Sequence, residues 1–139
     1  MNATITGGCA CGAVRYEITA PPLMAGHCQC RDCQRMTGAG HASMMGVPEA
    51  AYRQTGTLRH FNAKADSGAM VARGFCPECG SFVIGRSTGM PGMVTVAAAS
   101  LDEPAQFRPQ LVVYTASAQP WDHVDPALPH FERMPPMSR

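Results

Sequence analysis

Seven cysteines in three tight groups constrain this chain more than any other feature: Cys9 and Cys11, then Cys28, Cys30 and Cys33, then Cys76 and Cys79. An odd number cannot be fully paired in disulfides, and the start MNATITGGCACG lacks the basic segment and apolar run that direct export. Thiolate coordination of metal is the expectation, and zinc is the ion that units of this spacing hold best. The same start, with no later stretch near the roughly 18 apolar residues of a membrane span, gives a cytoplasmic protein with no membrane partner as the expectation.

Each group has its own geometry. In FCPECGS, Cys76 and Cys79 bracket a tight turn closed by Gly80, which can take positive φ, so that both sulfurs converge on one point. In GGCACG, residues two apart on an extended strand point the same way, so Cys9 and Cys11 can offer two more thiolates to one ion if the strand bends at its flanking glycines. Joining Cys9, Cys11, Cys76 and Cys79 makes a closed four-thiolate site, expected to be a structural zinc that staples an early hairpin to a late one.

The remaining trio lies in HCQCRDC. Cys28 and Cys30 alternate off a strand end, and Cys30 and Cys33 fall three apart on the first turn of a short helix predicted over 31–37, with Gly38 as its C-terminal cap. The helix N-terminus favours thiolates there. Three protein ligands leave one position open, so this second zinc is where chemistry is expected, with Cys28, Cys30 and Cys33 as the catalytic set. A closed zinc using His27 or His41, or an iron-sulfur cluster, is the alternative for the same trio.

Three thiolates on a divalent ion sum to a negative charge, which weakens its power to acidify water and disfavours hydrolysis. A small thiol is the natural fourth ligand. Arg31 and Arg35, four apart on one helix face, are the candidate substrate clamp, with Arg73 before the knuckle as a further candidate.

A chain of 139 residues makes one domain, 1–139. Hydrophobic patterning comes in short pieces at 13–18, 41–47, 70–75, 82–84, 94–98 and 111–114, divided by Gly, Pro or polar residues, which predicts a mainly β domain. A second short turn is expected near 48–52, a hairpin loop at 89–92, and an irregular proline-rich tail anchored by Trp121. His60, His123 and His130 read as surface residues. The net charge is +1, and the cations, all arginine except Lys64, are dispersed, so no basic run invites nucleic acid. No nucleophile elbow supports a serine hydrolase.

The stretches GGCACGAVRYE (7–17), HCQCRDCQRMTGAG (27–40), DSG (66–68), RGFCPECGS (73–81) and the late LDEP and QPW together resemble the glutathione-dependent formaldehyde-activating enzymes, a family that also contains centromere protein V. The resemblance implies the same division of the cysteines into a structural and a second zinc, two ions per chain. It also implies a zinc-stapled β-tent built of small antiparallel sheets with one short helix. The activity it implies is of carbon-sulfur lyase type, joining glutathione or another small thiol to formaldehyde or a related aldehyde as S-(hydroxymethyl)glutathione. The alternative is a noncatalytic zinc-binding β module that binds a protein partner.

Overall fold

The computed structural model describes residues 4–135. They form ten strands and one α-helix: β1 (Ile5–Gly8), β2 (Arg15–Ile18), β3 (Met24–Cys28), α1 (Arg31–Thr37), β4 (Ala42–Pro48), β5 (Tyr52–Thr55), β6 (Arg59–Lys64), β7 (Met70–Phe75), β8 (Phe82–Ser87), β9 (Met93–Ala97) and β10 (Leu111–Val113). The mainly β class with a single short helix is as the sequence predicts. The turn near residue 50 is a 3-10 helix over Glu49–Ala51, and residues 89–92 form the β8–β9 hairpin loop.

Two sheets build the fold, β1-β2-β5 and β10-β3-β4-β9-β8-β7-β6. Every pairing between these strands is antiparallel except that of β10 with β3, where Val113 lies opposite Cys28. β10 falls on the apolar piece at 111–114, inside the otherwise irregular tail. Trp121, expected to anchor that tail, is 63% exposed. β10 does the anchoring instead, helped by Phe107, which packs on the core and against the His27 ring.

Alternation explains the core. Strand β2, Arg-Tyr-Glu-Ile, buries its second and fourth residues and exposes the others, as one face of a pleat must. Tyr16 and Ile18 meet Met45, Val47, Ile84, Val94 and Val96 in one cluster between the sheets, which also takes in Cys9 and Cys76. Burying an aliphatic side chain of this size contributes about 1.5–3 kcal/mol, so the two cysteine-bearing loops are tied to the strongest part of the fold. Gly7 is required beneath Tyr16: a Cβ there would lie 2.3 Å from the phenol oxygen and 2.4 Å from the Ser100 carbonyl.

Tyr16 also makes a pH-dependent contribution. Its hydroxyl bonds Ser100 Oγ at 2.7 Å, and burial, partly offset by that bond, pushes its pKa up to about 12. The folded value lies above the unfolded value of about 10, so the stabilisation is complete below pH about 10 and is lost as pH rises toward 12. Alkaline unfolding followed by circular dichroism should steepen through that window, with phenolate absorbance appearing alongside. Tyr16→Phe should flatten the profile, leaving a residual slope from Tyr52, which burial also raises.

No helix among the described residues is long and apolar enough to cross a membrane.

Candidate functional site

The first cluster is assembled from two loops. After β1 the chain leaves extended geometry, so Cys9 and Cys11 sit in a turn and not on a strand as the sequence suggests. That turn closes through Cys9 N–H to the Val14 carbonyl (3.1 Å) and passes Gly12 at φ +82°, while the Val14 amide donates to Cys9 Sγ at 3.3 Å. The second loop closes through Gly80 N–H to the Cys76 carbonyl (2.8 Å), with Gly80 at φ +78° and the Glu78 amide donating to Cys76 Sγ at 3.4 Å. Ser81 Oγ accepts from the Ala10 amide at 3.0 Å and clips the loops together.

The four sulfurs lie within 4.8 Å of one another, with Cys9 to Cys11 at 3.7 Å and Cys11 to Cys76 at 3.8 Å. A zinc-sulfur bond of about 2.3 Å in a tetrahedron requires sulfur-sulfur edges of about 3.8 Å, so the donor set fits that ion. Cys9 and Cys76 are buried and Cys11 and Cys79 exposed. The Ser81 hydroxyl and amide hold the Cys79 thiol down to about 5, which favours its thiolate.

The second cluster is local. Cys28 ends β3, Cys30 is the N-cap of α1 with extended backbone (φ −70°, ψ 156°), and Cys33 is the third residue of that helix. The Cys33 amide donates to Cys30 Sγ at 3.3 Å, so a sulfur performs the capping usually done by a hydroxyl or carboxylate. Gly38 closes the helix at φ +73°, as expected. These three sulfurs also lie within 4.8 Å of one another. Hydrogen bonds from Cys28 and Cys33 drive Cys30 down to about 2, with Arg73 adding its positive field, and the same sulfur contacts drive Cys28 up.

Neither histidine joins these sulfurs within that limit. His27 and Cys28 are consecutive on β3, opposite Ser43 and Ala42 respectively, and alternation sends them to opposite faces. His27 Nδ1 bonds Ser43 Oγ at 2.9 Å and His41 Nδ1 bonds Asp122 at 2.9 Å, with the two rings 4.6 Å apart edge to face. His60, His123 and His130 are exposed, as expected.

Behind the trio lies polar support that the sequence did not disclose. Buried Gln34 donates to the carbonyls of Gln29 (2.8 Å) and Ser117 (3.0 Å), and its oxygen accepts from Arg31 and Gln119. Buried Gln29 donates to Asp122 at 3.0 Å, and Gly40 is mandatory because a Cβ there would lie 2.2 Å from the Asp122 carboxyl carbon. Tyr114, next after β10, holds φ +61°, the single left-handed non-glycine among the described residues. The nearby Cys28 and Cys30 sulfurs are among the groups that, after burial and Asp66, raise its pKa. Sequence spacing does not announce this support, since Ser117, Gln119 and Asp122 lie 80 or more positions from Gln29 and Gln34.

The arginines divide. Arg31 is exposed and committed to Gln34, whereas Arg35 faces Arg73 across a cleft of about 450 Å³ whose walls include Asp32, Met36, Phe61, Phe75 and Phe82. Among the described residues neither Arg35 nor Arg73 has an ion-pair or hydrogen-bond partner. A second cleft of about 470 Å³ contains no cysteine, and its own ion pair, Arg86 with Glu49 at 2.8 Å, satisfies the charges there.

Two sheets bridged by a four-sulfur cluster, with three further sulfurs at a helix cap, define a cysteine-rich β domain with two sulfur clusters that could hold metal ions. The profile of the family described as glutathione-dependent formaldehyde-activating enzyme matches residues 4–117, and the chain belongs to that family. Its fold is similar to the crystal structure of a Rhodobacter sphaeroides protein solved as a structural genomics target, at 19% identity and a TM-score of 0.59, covering 91% of this chain and 98% of that one. No curated protein matches the chain.

Proposed function

We propose that this protein joins glutathione or another small thiol to formaldehyde or a related aldehyde, a carbon-sulfur lyase-type reaction, with zinc at both cysteine clusters. The observation that carries this reading is the three-sulfur cluster at the α1 cap, joined within 4.8 Å by no fourth Cys, His, Asp or Glu ligand among the described residues. Cys9, Cys11, Cys76 and Cys79 would hold a structural ion, and Cys28, Cys30 and Cys33 the second. A zinc ion bound by that trio would supply a soft Lewis-acid position that favours a thiol in its deprotonated form.

The chain's own residues do the rest. The helix N-terminus and the Arg73 field offset the negative charge gathered at the trio. Arg35 and Arg73, which line one cleft, would orient a carboxylate-bearing substrate. In the addition, the substrate sulfur forms a bond to the carbonyl carbon, the carbonyl π pair moves to oxygen, and the proton lost by the thiol ends on that oxygen. Nothing is oxidised or reduced.

The test is isotope-exchange nuclear magnetic resonance with labelled formaldehyde and glutathione on anaerobically prepared protein whose zinc content has been measured. Two zinc ions per chain and exchange between free and adduct carbon faster than the spontaneous rate are expected. Exchange at the protein-free rate with every small thiol tried would overturn the catalytic reading and favour a binding module.

A further inference from the structure

The cleft between α1 and the β6–β7 hairpin has a composition that the proposed thiol addition alone does not explain. Phe61, Phe75 and Phe82 line it, which is three of the five phenylalanines in the chain. Phe61 is 65% exposed, on an outward face where a solvated strand would carry a polar residue. It stands directly opposite Arg73 in the β6–β7 register, so ring and guanidinium share one face. Arg73 is half-buried without an ion-pair or hydrogen-bond partner among the described residues, an uncommon state for a guanidinium in a folded protein. Arg35 and Asp32, from the helix that also carries Cys33, complete the polar rim.

We infer that this cleft binds a small molecule with an aromatic body and a single carboxylate, and so selects an aryl-bearing partner for the reaction at the trio. The inference rests on the proposed function for its link to chemistry, but not for the binding itself. Arg35 and Arg73 against Asp32 leave one net positive charge, which one carboxylate neutralises. Three rings offer stacking and edge contacts to a flat apolar group. A volume of about 450 Å³ lies within the range of small-molecule sites. Glutathione, with two carboxylates and an ammonium group, matches the charges of Arg35, Arg73 and Asp32 but has no ring and would leave the three phenylalanines uncovered.

The zinc-loaded protein is titrated calorimetrically with hydrocinnamate, which has the ring and the carboxylate but no sulfur, with propanoate as the ringless control. Hydrocinnamate should bind saturably and about tenfold or more tighter than propanoate, and Phe61→Ala and Arg73→Gln should each weaken it about tenfold. Phe61 is exposed, so its replacement leaves the core intact. Equal affinity for the two acids, or hydrocinnamate binding unmoved by both substitutions, would overturn the inference. Mercaptoethanol, a thiol without ring or carboxylate, probes the trio separately through the spectrum of cobalt-substituted protein. A thiol response without aryl binding leaves the proposed function standing and removes the cleft's role. Aryl binding without a thiol response does the reverse.

Discussion

Cys76→Ser should abolish cooperative folding. Cys76 is fully buried in the core and its sulfur is one corner of a cluster whose other half lies 65 residues away on Cys11. Structural zinc in small domains supplies apparent free energies of about 10–16 kcal/mol, comparable to or larger than the roughly 5–15 kcal/mol of net stability of a typical domain. Removing one ligand, or stripping the ion with a chelator, should therefore lose the thermal transition in circular dichroism together with one equivalent of zinc by elemental analysis. Cys9→Ser should behave alike, since Cys9 is also part of the core cluster. A Cys76→Ser protein that melts within about 1 kcal/mol of the parent would show that the four sulfurs do not hold the fold together.

Cys30→Ser should separate function from fold. Serine is a preferred N-cap, and its hydroxyl can accept from the Cys33 amide as the Cys30 sulfur does, so α1 and a cooperative thermal transition should persist. The second equivalent of zinc should be lost, and acceleration of thiol-aldehyde exchange should fall about a hundredfold or more, because a ligand is lost outright where even outer partners of a metal site cost 10- to 100-fold. Unchanged exchange in a variant holding one zinc would remove the trio from the chemistry.

The parts of the site legible in the sequence are those encoded over short distances. The Cys76–Gly80 knuckle, the 31–37 helix with its Gly38 cap, and the separation of four cysteines from three all follow from spacing, because turns and caps are decided by neighbours a few residues apart. Strands β2, β4, β7, β8, β9 and β10 were marked by apolar runs. β6 was not, since Arg-His-Phe-Asn-Ala-Lys buries almost nothing, and β1 carries two glycines. The bend at Cys9 and Cys11 is legible only through the flanking glycines, of which Gly12 takes φ +82°, while the amide-to-sulfur bond that holds the turn has no propensity signal of its own. Helix spacing pairs Arg31 with Arg35, whereas the cleft is lined by Arg35 together with Arg73, from a strand more than 30 residues away.

The parallel edge pair of β10 with β3 sets an order of completion during synthesis. All seven cysteines have been translated by residue 79, yet Gln29 is held by Val113, Gln34 by Ser117, and Gln29 again by Asp122. Until those residues leave the ribosome, β3 keeps one edge open and α1 lacks its polar backing, a state in which exposed strand edges invite pairing with other chains. The nascent chain therefore gathers its ligands early and gains their scaffold last, so a ribosome pause before residue 113 would leave a metal-competent but aggregation-prone intermediate.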